Sequence, residues 1–281
     1  MKLGLFAIGA DMYAHEPATA VVVAQAAELA GWESVWVGEH YALPDPQPDD
    51  FFIDPDTAML DPFIALTNIA AHTTTLNVGT GVIVLPLHNP FHLAKQVVSL
   101  DRVAPDRFLF GVGVGYFQGA LDAFGTTTGD RGRASDELLA SMASIFDDEA
   151  PAVSWRDRQT TGLRSEPRPL RGGGPPIHVG GAGTAAFRRA ATVGAGWYGW
   201  CVPPDRVEAA RAGLAEAAET CGRTATIEIS ITPPLDMDVT RELLARYRDV
   251  GVDRLIVMPP TPARTDLGTA LDFVKTVATF I

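Results

Sequence analysis

The feature that most constrains this chain is a rhythm. Eight times, a short apolar run rich in β-branched and aromatic residues is followed, after a turn, by a longer stretch with helical periodicity. The short runs fall at 3–8, 34–37, 76–82, 107–112, 176–180, 197–200, 226–231 and 254–258. Their helical partners fall at 17–30, 61–74, 90–103, 131–146, 184–193, 203–221, 238–250 and 267–280. A strand that feeds a helix and then another strand builds a parallel sheet, and eight such units close into a barrel. The sequence therefore predicts an α/β protein, a single (β/α)8 TIM barrel over residues 1–281. Two stretches break the rhythm. Residues 42–60, after the second strand, are rich in Pro and Asp and too long for a plain connection, which predicts a lid. Residues 148–174, before the fifth strand, are rich in Arg, Pro and Gly around Val153-Ser154-Trp155, and read as an insertion at the C-terminal rim.

Charge narrows the partners. With 34 acidic against 22 basic residues, the net charge of −12 argues against nucleic acid and against an anionic membrane. Cys201 and Cys221 are too few for a disulfide framework and fit a reducing compartment. The opening Met1-Lys2-Leu3-Gly4-Leu5-Phe6 lacks the pattern of a signal peptide, and no apolar run reaches bilayer length. The expectation is a cytoplasmic protein whose partners are a small-molecule substrate and a second copy of itself.

In such a barrel the site lies where the strands end. Those ends carry Glu39-His40-Tyr41, Thr80-Gly81-Val82, Gly113-Val114-Gly115-Tyr116, Gly180-Gly181-Ala182-Gly183-Thr184, Trp200-Cys201 and Pro259-Pro260. Glycines and aromatics dominate, which suits a flat cofactor better than hydrolysis. Gly79 and Gly81 flank Thr80 where the backbone must bend or a flat ligand must come close, or where crowding inside the barrel needs relief. His40 stands where an imidazole can meet a ligand; the plainer alternative is a surface histidine bonded to a neighbour. The turn from Gly180 to Thr184 offers backbone N–H groups at a helix start, an arrangement suited to phosphate. His178 reads as a satisfied core residue. His88 and His92 are separated by the helix start at Asn89-Pro90, so they cannot share a helical face, and no metal site is expected. Gly111-Val112-Gly113-Val114-Gly115 is not a dinucleotide fingerprint, because Tyr116 stands where the last glycine is needed.

Four blocks then resemble one family. They are the run from Ala26 through Gly31-Trp32-Glu33-Ser34-Val35-Trp36-Val37-Gly38-Glu39-His40; Asn77-Val78-Gly79-Thr80-Gly81-Val82; Asn89-Pro90 through Lys95-Gln96, Leu100-Asp101-Arg102 and Asp106-Arg107-Phe108 to Gly115; and Pro175-Pro176-Ile177-His178-Val179-Gly180-Gly181. In this order they resemble the bacterial-luciferase-like flavin and deazaflavin oxidoreductases. The pattern is most similar to the branch that uses coenzyme F-420, a phosphate-bearing 5-deazaflavin. The resemblance implies a hydride-transferring oxidoreductase with a non-proline cis peptide at Gly81–Val82, behind the cofactor ring. It implies His40 as the catalytic residue at the ring edge. Cofactor contacts would come from His40, Thr80, Gly81, Val82, Gly113, Gly115, Gly180, Gly181, Ala182, Gly183 and Thr184. Glu39, Tyr41, Tyr116, Trp200 and Cys201 would face the substrate. Tyr116 falls where some deazaflavin sugar-phosphate dehydrogenases carry a glutamate, which speaks against a sugar phosphate. Two alternatives stay open: an FMN-dependent monooxygenase with a separate reductase, and a barrel that has lost catalysis.

Overall fold

The computed structural model describes residues 1–49 and 51–280. Eleven strands occur among them: β1 (Lys2–Phe6), β2 (Ser34–Val37), β3 (Asn77–Thr80), β4 (Ile83–Val84), β5 (Phe108–Gly113), β6 (Val153–Trp155), β7 (Arg158–Thr160), β8 (Ile177–Gly180), β9 (Gly196–Gly199), β10 (Glu228–Ile231) and β11 (Arg254–Val257). Eight of these pair in parallel, in the order β3, β2, β1, β11, β10, β9, β8, β5, and contact between β3 and β5 closes the ring. This is the predicted (β/α)8 barrel. β4 continues the third barrel strand along β5, beyond the Gly81–Val82 peptide, which is cis.

Alternation along each strand divides the side chains between two cores. Outward-facing Leu3, Leu5, Val35, Val78, Phe108 and Leu255 meet the helices in one large apolar cluster. Inward-facing Phe6, Trp36, Tyr198 and Ile256 form a second cluster inside the ring. Trp36 is fully buried there, and glycine on the neighbouring strands makes room for it. A Cβ on Gly79 would come within 2.6 Å of the indole, and one on Gly4 within 2.9 Å. The first of the two strand-three glycines therefore relieves crowding.

The floor of the barrel is ionic. Arg254, almost wholly buried, donates to both carboxylate oxygens of Glu33 at 2.6 and 2.7 Å, to Ser230 Oγ at 2.9 Å, and to Glu228. Burial works to raise the pKa of Glu33, but the Arg254 hydrogen bonds and charge outweigh it and hold the carboxyl below its ordinary value. His178 lies in the same interior and is not the satisfied core residue expected. Its Nδ1 has no partner, because it faces the backbone of Gly196, where a Cβ would stand only 2.5 Å away. Burial, with Arg254 adding to it, pushes the His178 pKa from 6.5 down to about 4.

Helix starts follow their caps. Asp61, Asn89, Thr240 and Asp266 each accept a hydrogen bond from a backbone N–H of the first helical turn, at 2.8–3.1 Å. The Thr240 cap sets the start of helix Arg241–Asp249, later than the predicted 238. Short helices at Met12–His15, Gln118–Ala123 and Thr261–Thr265 lie in βα loops and were not expected. No helix among the described residues is long and apolar enough to cross a membrane.

The insertion has two parts. β6 and β7 form an antiparallel hairpin at the rim, where Trp155 Nε1 donates to the His88 carbonyl at 3.1 Å. The rest runs down the outside of helix Pro90–Val103, tied by Arg102 to the Arg168 carbonyl at 2.6 Å and by the Leu170 N–H to Asp101 at 2.8 Å.

Candidate active site

A cavity of about 720 Å³ opens at the C-terminal ends of the barrel strands, under the loop that follows β2. Its floor is built around Val82. A Cβ on Gly113 would lie 2.7 Å from one Val82 methyl, and a Cβ on Gly180 would lie 3.0 Å from the other. The two glycines thus leave a seat for the isopropyl group on the cavity floor. Gly81 is hemmed in by Phe6 and Tyr198, where an added Cβ would stand at 2.8 and 3.3 Å. Thr80 is fully buried behind the floor and donates to the Gly111 carbonyl at 2.7 Å. Gly115, at φ +75, fits against Val84.

His40 and Glu39 leave β2 in sequence but do different things. His40 is half-buried on the cavity wall, with Nε2 3.3 Å from the Tyr116 hydroxyl and Nδ1 buried without a partner. Desolvation lowers its pKa, so the ring is neutral at pH 7. Partial burial likewise pushes the Tyr116 phenol up to about 12. Glu39 is buried and already bonded: one oxygen accepts the Val84 N–H at 2.7 Å, the other His88 Nε2 at 2.9 Å. It joins the end of β2 to β4, directly after the Val82 floor. Tyr41 stacks on Phe124 at 5.2 Å, and burial, reinforced by the Glu39 charge, keeps its phenol protonated.

Aromatic side chains ring the mouth. Trp200 lies 5.0 Å from Phe6 and 6.2 Å from Phe52 of the lid, centroid to centroid. Phe51 lies 5.9 Å from Tyr116 and 5.3 Å from Phe117. At the fifth barrel strand, Gly180 and Gly181 line the cavity, while Ala182, Gly183 and Thr184 continue the turn in exposed positions. Gly181 and Gly183 have φ of +110 and +88, and a Cβ on Gly183 would meet nothing within 4 Å. Helix Thr184–Val193 starts there, so its first N–H groups stand beside the cavity mouth. Cys201 is partly buried at φ +53, outside the cavity wall, and burial pushes its thiol pKa up. No group of three or more His, Cys, Asp or Glu among the described residues is placed to hold a metal.

The structure brings His40, Glu39, Tyr41, Gly81, Val82, Gly113, Gly115, Tyr116, Gly180, Gly181 and Trp200 to one cavity wall. Sequence reasoning missed His88, Phe51, Phe52 and Arg264. His88 was set aside for lacking a metal partner, whereas a buried carboxylate 49 positions earlier accepts its proton. The adjacent pair Phe51-Phe52, aromatic in a loop rich in Pro and Asp, was the available signal for the lid contacts.

The profile of the luciferase-like monooxygenase family matches residues 1–261. The chain belongs to that family. This places the luciferase-like chain among oxidoreductases. It is 26% identical over 258 residues to 4-hydroxyprotoasukamycin monooxygenase of Streptomyces nodosus subsp. asukaensis, covering 86% of the chain and 66% of that protein. It is 27% identical over 247 residues to an uncharacterized protein of Mycobacterium bovis, covering 84% and 83%. Among solved structures, monooxygenase RslO1 from Streptomyces bottropensis superposes with a TM-score of 0.79 at 17% identity, over 100% and 98% of the two chains. An F420-dependent secondary alcohol dehydrogenase in complex with an F420-acetone adduct gives 0.73 at 15%, over 98% of each chain. The FMN complex of a type II Baeyer-Villiger monooxygenase constituent from Pseudomonas putida gives 0.77 at 14%, over 100% and 98%. At these identities the likeness shows that the luciferase-like barrel is shared.

Proposed function

We propose that this protein moves a hydride between coenzyme F-420 and a small organic substrate. The observation that carries the reading is the cavity floor, where Val82 sits between two glycines beneath a largely aromatic mouth. A planar ring system needs apolar surfaces on its faces and a few polar partners at its edge. Val82, Gly81, Gly113 and Gly180 would support one face, and His40 would stand at the edge. The N–H groups after Gly181 and Gly183 would take the cofactor phosphate, helped by the start of helix Thr184–Val193. When bound, the deazaflavin would supply hydride chemistry. The chain's own contribution is position, exclusion of water and a hydrogen-bonding edge at His40 and Tyr116. The Tyr116 hydroxyl, 3.3 Å from His40 Nε2, would give a ligand oxygen a hydrogen-bonding partner at the ring edge, while Nδ1 stays buried in the wall. The lid, docked through Phe51 and Phe52, would keep water from the reacting atoms.

A second reading is an FMN-dependent monooxygenase supplied by a separate reductase. The description of the family and the Streptomyces nodosus relative favour it. Titrating the protein with F-420 and with FMN, following quenching of each cofactor's fluorescence, separates the two. Binding of F-420 alone supports the first reading and binding of FMN alone supports the second. Binding of neither would leave a barrel without catalysis.

A further inference from the structure

The cavity wall has an unusual charge balance for a site that takes small metabolites. Its charged lining residues are Asp11, Glu39, Asp54 and Arg264, three acids against one base. The Arg264 guanidinium is already engaged, donating to Asp11 and, at 3.3 Å, to the Thr261 hydroxyl. Glu39 is held by Val84 and His88, and Asp54 accepts the Asp56 N–H at 2.8 Å. Among the described lining residues, the one cation is paired with a carboxylate, although its buried Nε has no partner of its own. An anion entering here would lose its hydration, find no unpaired cation among the described lining residues and meet the Asp54 carboxylate.

What the mouth does offer is aromatic surface. The adjacent lid residues Phe51 and Phe52 reach opposite walls, Phe51 to Tyr116 and Phe52 to Trp200. Phe52 is still 51% exposed and Tyr116 56% exposed, so both keep open faces towards the entrance. An incoming ring can stack or pack edge-on against them, which a straight alkyl chain cannot match. A polar point on the Tyr116 wall is the phenol hydroxyl with its His40 neighbour. One oxygen on the ligand satisfies it.

We propose that the substrate is an uncharged, ring-bearing molecule with one carbonyl or hydroxyl oxygen, gripped between the Phe52–Trp200 pair and Tyr116, which Phe51 backs. Its status as a substrate rests on the oxidoreductase reading; the binding preference does not. The test is equilibrium dialysis of the full chain at pH 7.5, with and without F-420. The probes are 2-acetylnaphthalene, its anionic counterpart 2-naphthoate, and ring-free decan-2-one. The ketone is expected to bind at least about tenfold more tightly than either comparison. Phe52→Ala and Trp200→Ala are each expected to weaken it about threefold to tenfold. Equal or tighter binding of 2-naphthoate or decan-2-one overturns the proposal. So does wild-type ketone affinity in Phe52→Ala, whose half-exposed ring can be removed without disturbing the core. Discrimination among the probes with no F-420 binding upholds this proposal and removes the cofactor reading. F-420 binding without discrimination does the reverse.

Discussion

At the scale of the residue, two neighbours show how little adjacency says about role. Glu39 is spent on Val84 and His88, inside the wall, while His40 lines the cavity with Nε2 beside the Tyr116 hydroxyl and Nδ1 buried without a partner. If His40 acts in the chemical step, His40→Ala lowers kcat about 10²- to 10⁴-fold with cofactor affinity little changed. Steady-state kinetics beside a cofactor titration check this; a change confined to affinity makes His40 a binding residue instead. The Val82 seat gives a sharper test. Gly113→Ala places a methyl 2.7 Å from Val82 and is expected to displace it, weakening cofactor binding. Adding Val82→Ala removes the clash and restores much of the affinity. A double variant as weak as the single one would show that Gly113 acts through something other than Val82.

At the scale of the element, one carboxylate ties a helix to the strand that bears the site. Glu28, near the end of helix Pro17–Leu29, accepts the N–H groups of Thr74, Thr75 and Leu76 at 2.8, 2.5 and 2.9 Å. Desolvation opposes ionisation, but these hydrogen bonds win and bring its pKa to about 2. Glu28→Ala leaves those donors without their acceptor just before β3 and should cost about 1–3 kcal/mol, measured by urea unfolding. Glu28 lies within a block that already resembled the family, yet nothing in its immediate sequence marks it as a cap for a loop 46 residues away. Elements with their own local signals fared better. Asp61-Pro62 and Asn89-Pro90 announced helix starts because cap and first-turn proline are adjacent in the chain. Short helices such as Thr261–Thr265, too brief for a periodic pattern, gave no such signal.

For the whole molecule, the barrel was legible because strand and helix periods alternate eight times, and closure follows from that count. The site's position was legible too, since strand ends can be read off the chain. Which side chains meet was not. Phe52 and Trp200 line the same cavity from distant parts of the sequence, and only the lid's path brings them together. The ionic barrel floor was equally hidden, and it has a measurable consequence. The unfolded chain takes up a proton at His178 near pH 6.5, the folded one near 4. Between those values the unfolded state binds more protons, so stability falls as the pH drops, by up to about 3 kcal/mol. Above 6.5 the residue contributes no pH dependence. The lowered carboxyls of Glu28, Glu33 and Glu228 add their own losses, but only below their ordinary 4.5. Urea midpoints taken between pH 7 and 5 therefore exclude the carboxyls and report His178 together with His40, whose pKa is lowered as well; the His178 variant separates the two. His178→Asn should flatten that part of the profile; an unchanged slope would assign the loss elsewhere.

The hairpin reaches further inward than its place on the rim suggests. Trp155 holds the His88 carbonyl, the His88 ring holds Glu39, and Glu39 holds the Val84 amide. That amide is therefore an internal gauge of what happens at the surface. In deuterated solvent its proton should exchange slowly, and Trp155→Phe, which keeps the ring but deletes the outermost donor, should speed the exchange while leaving distant barrel amides unchanged.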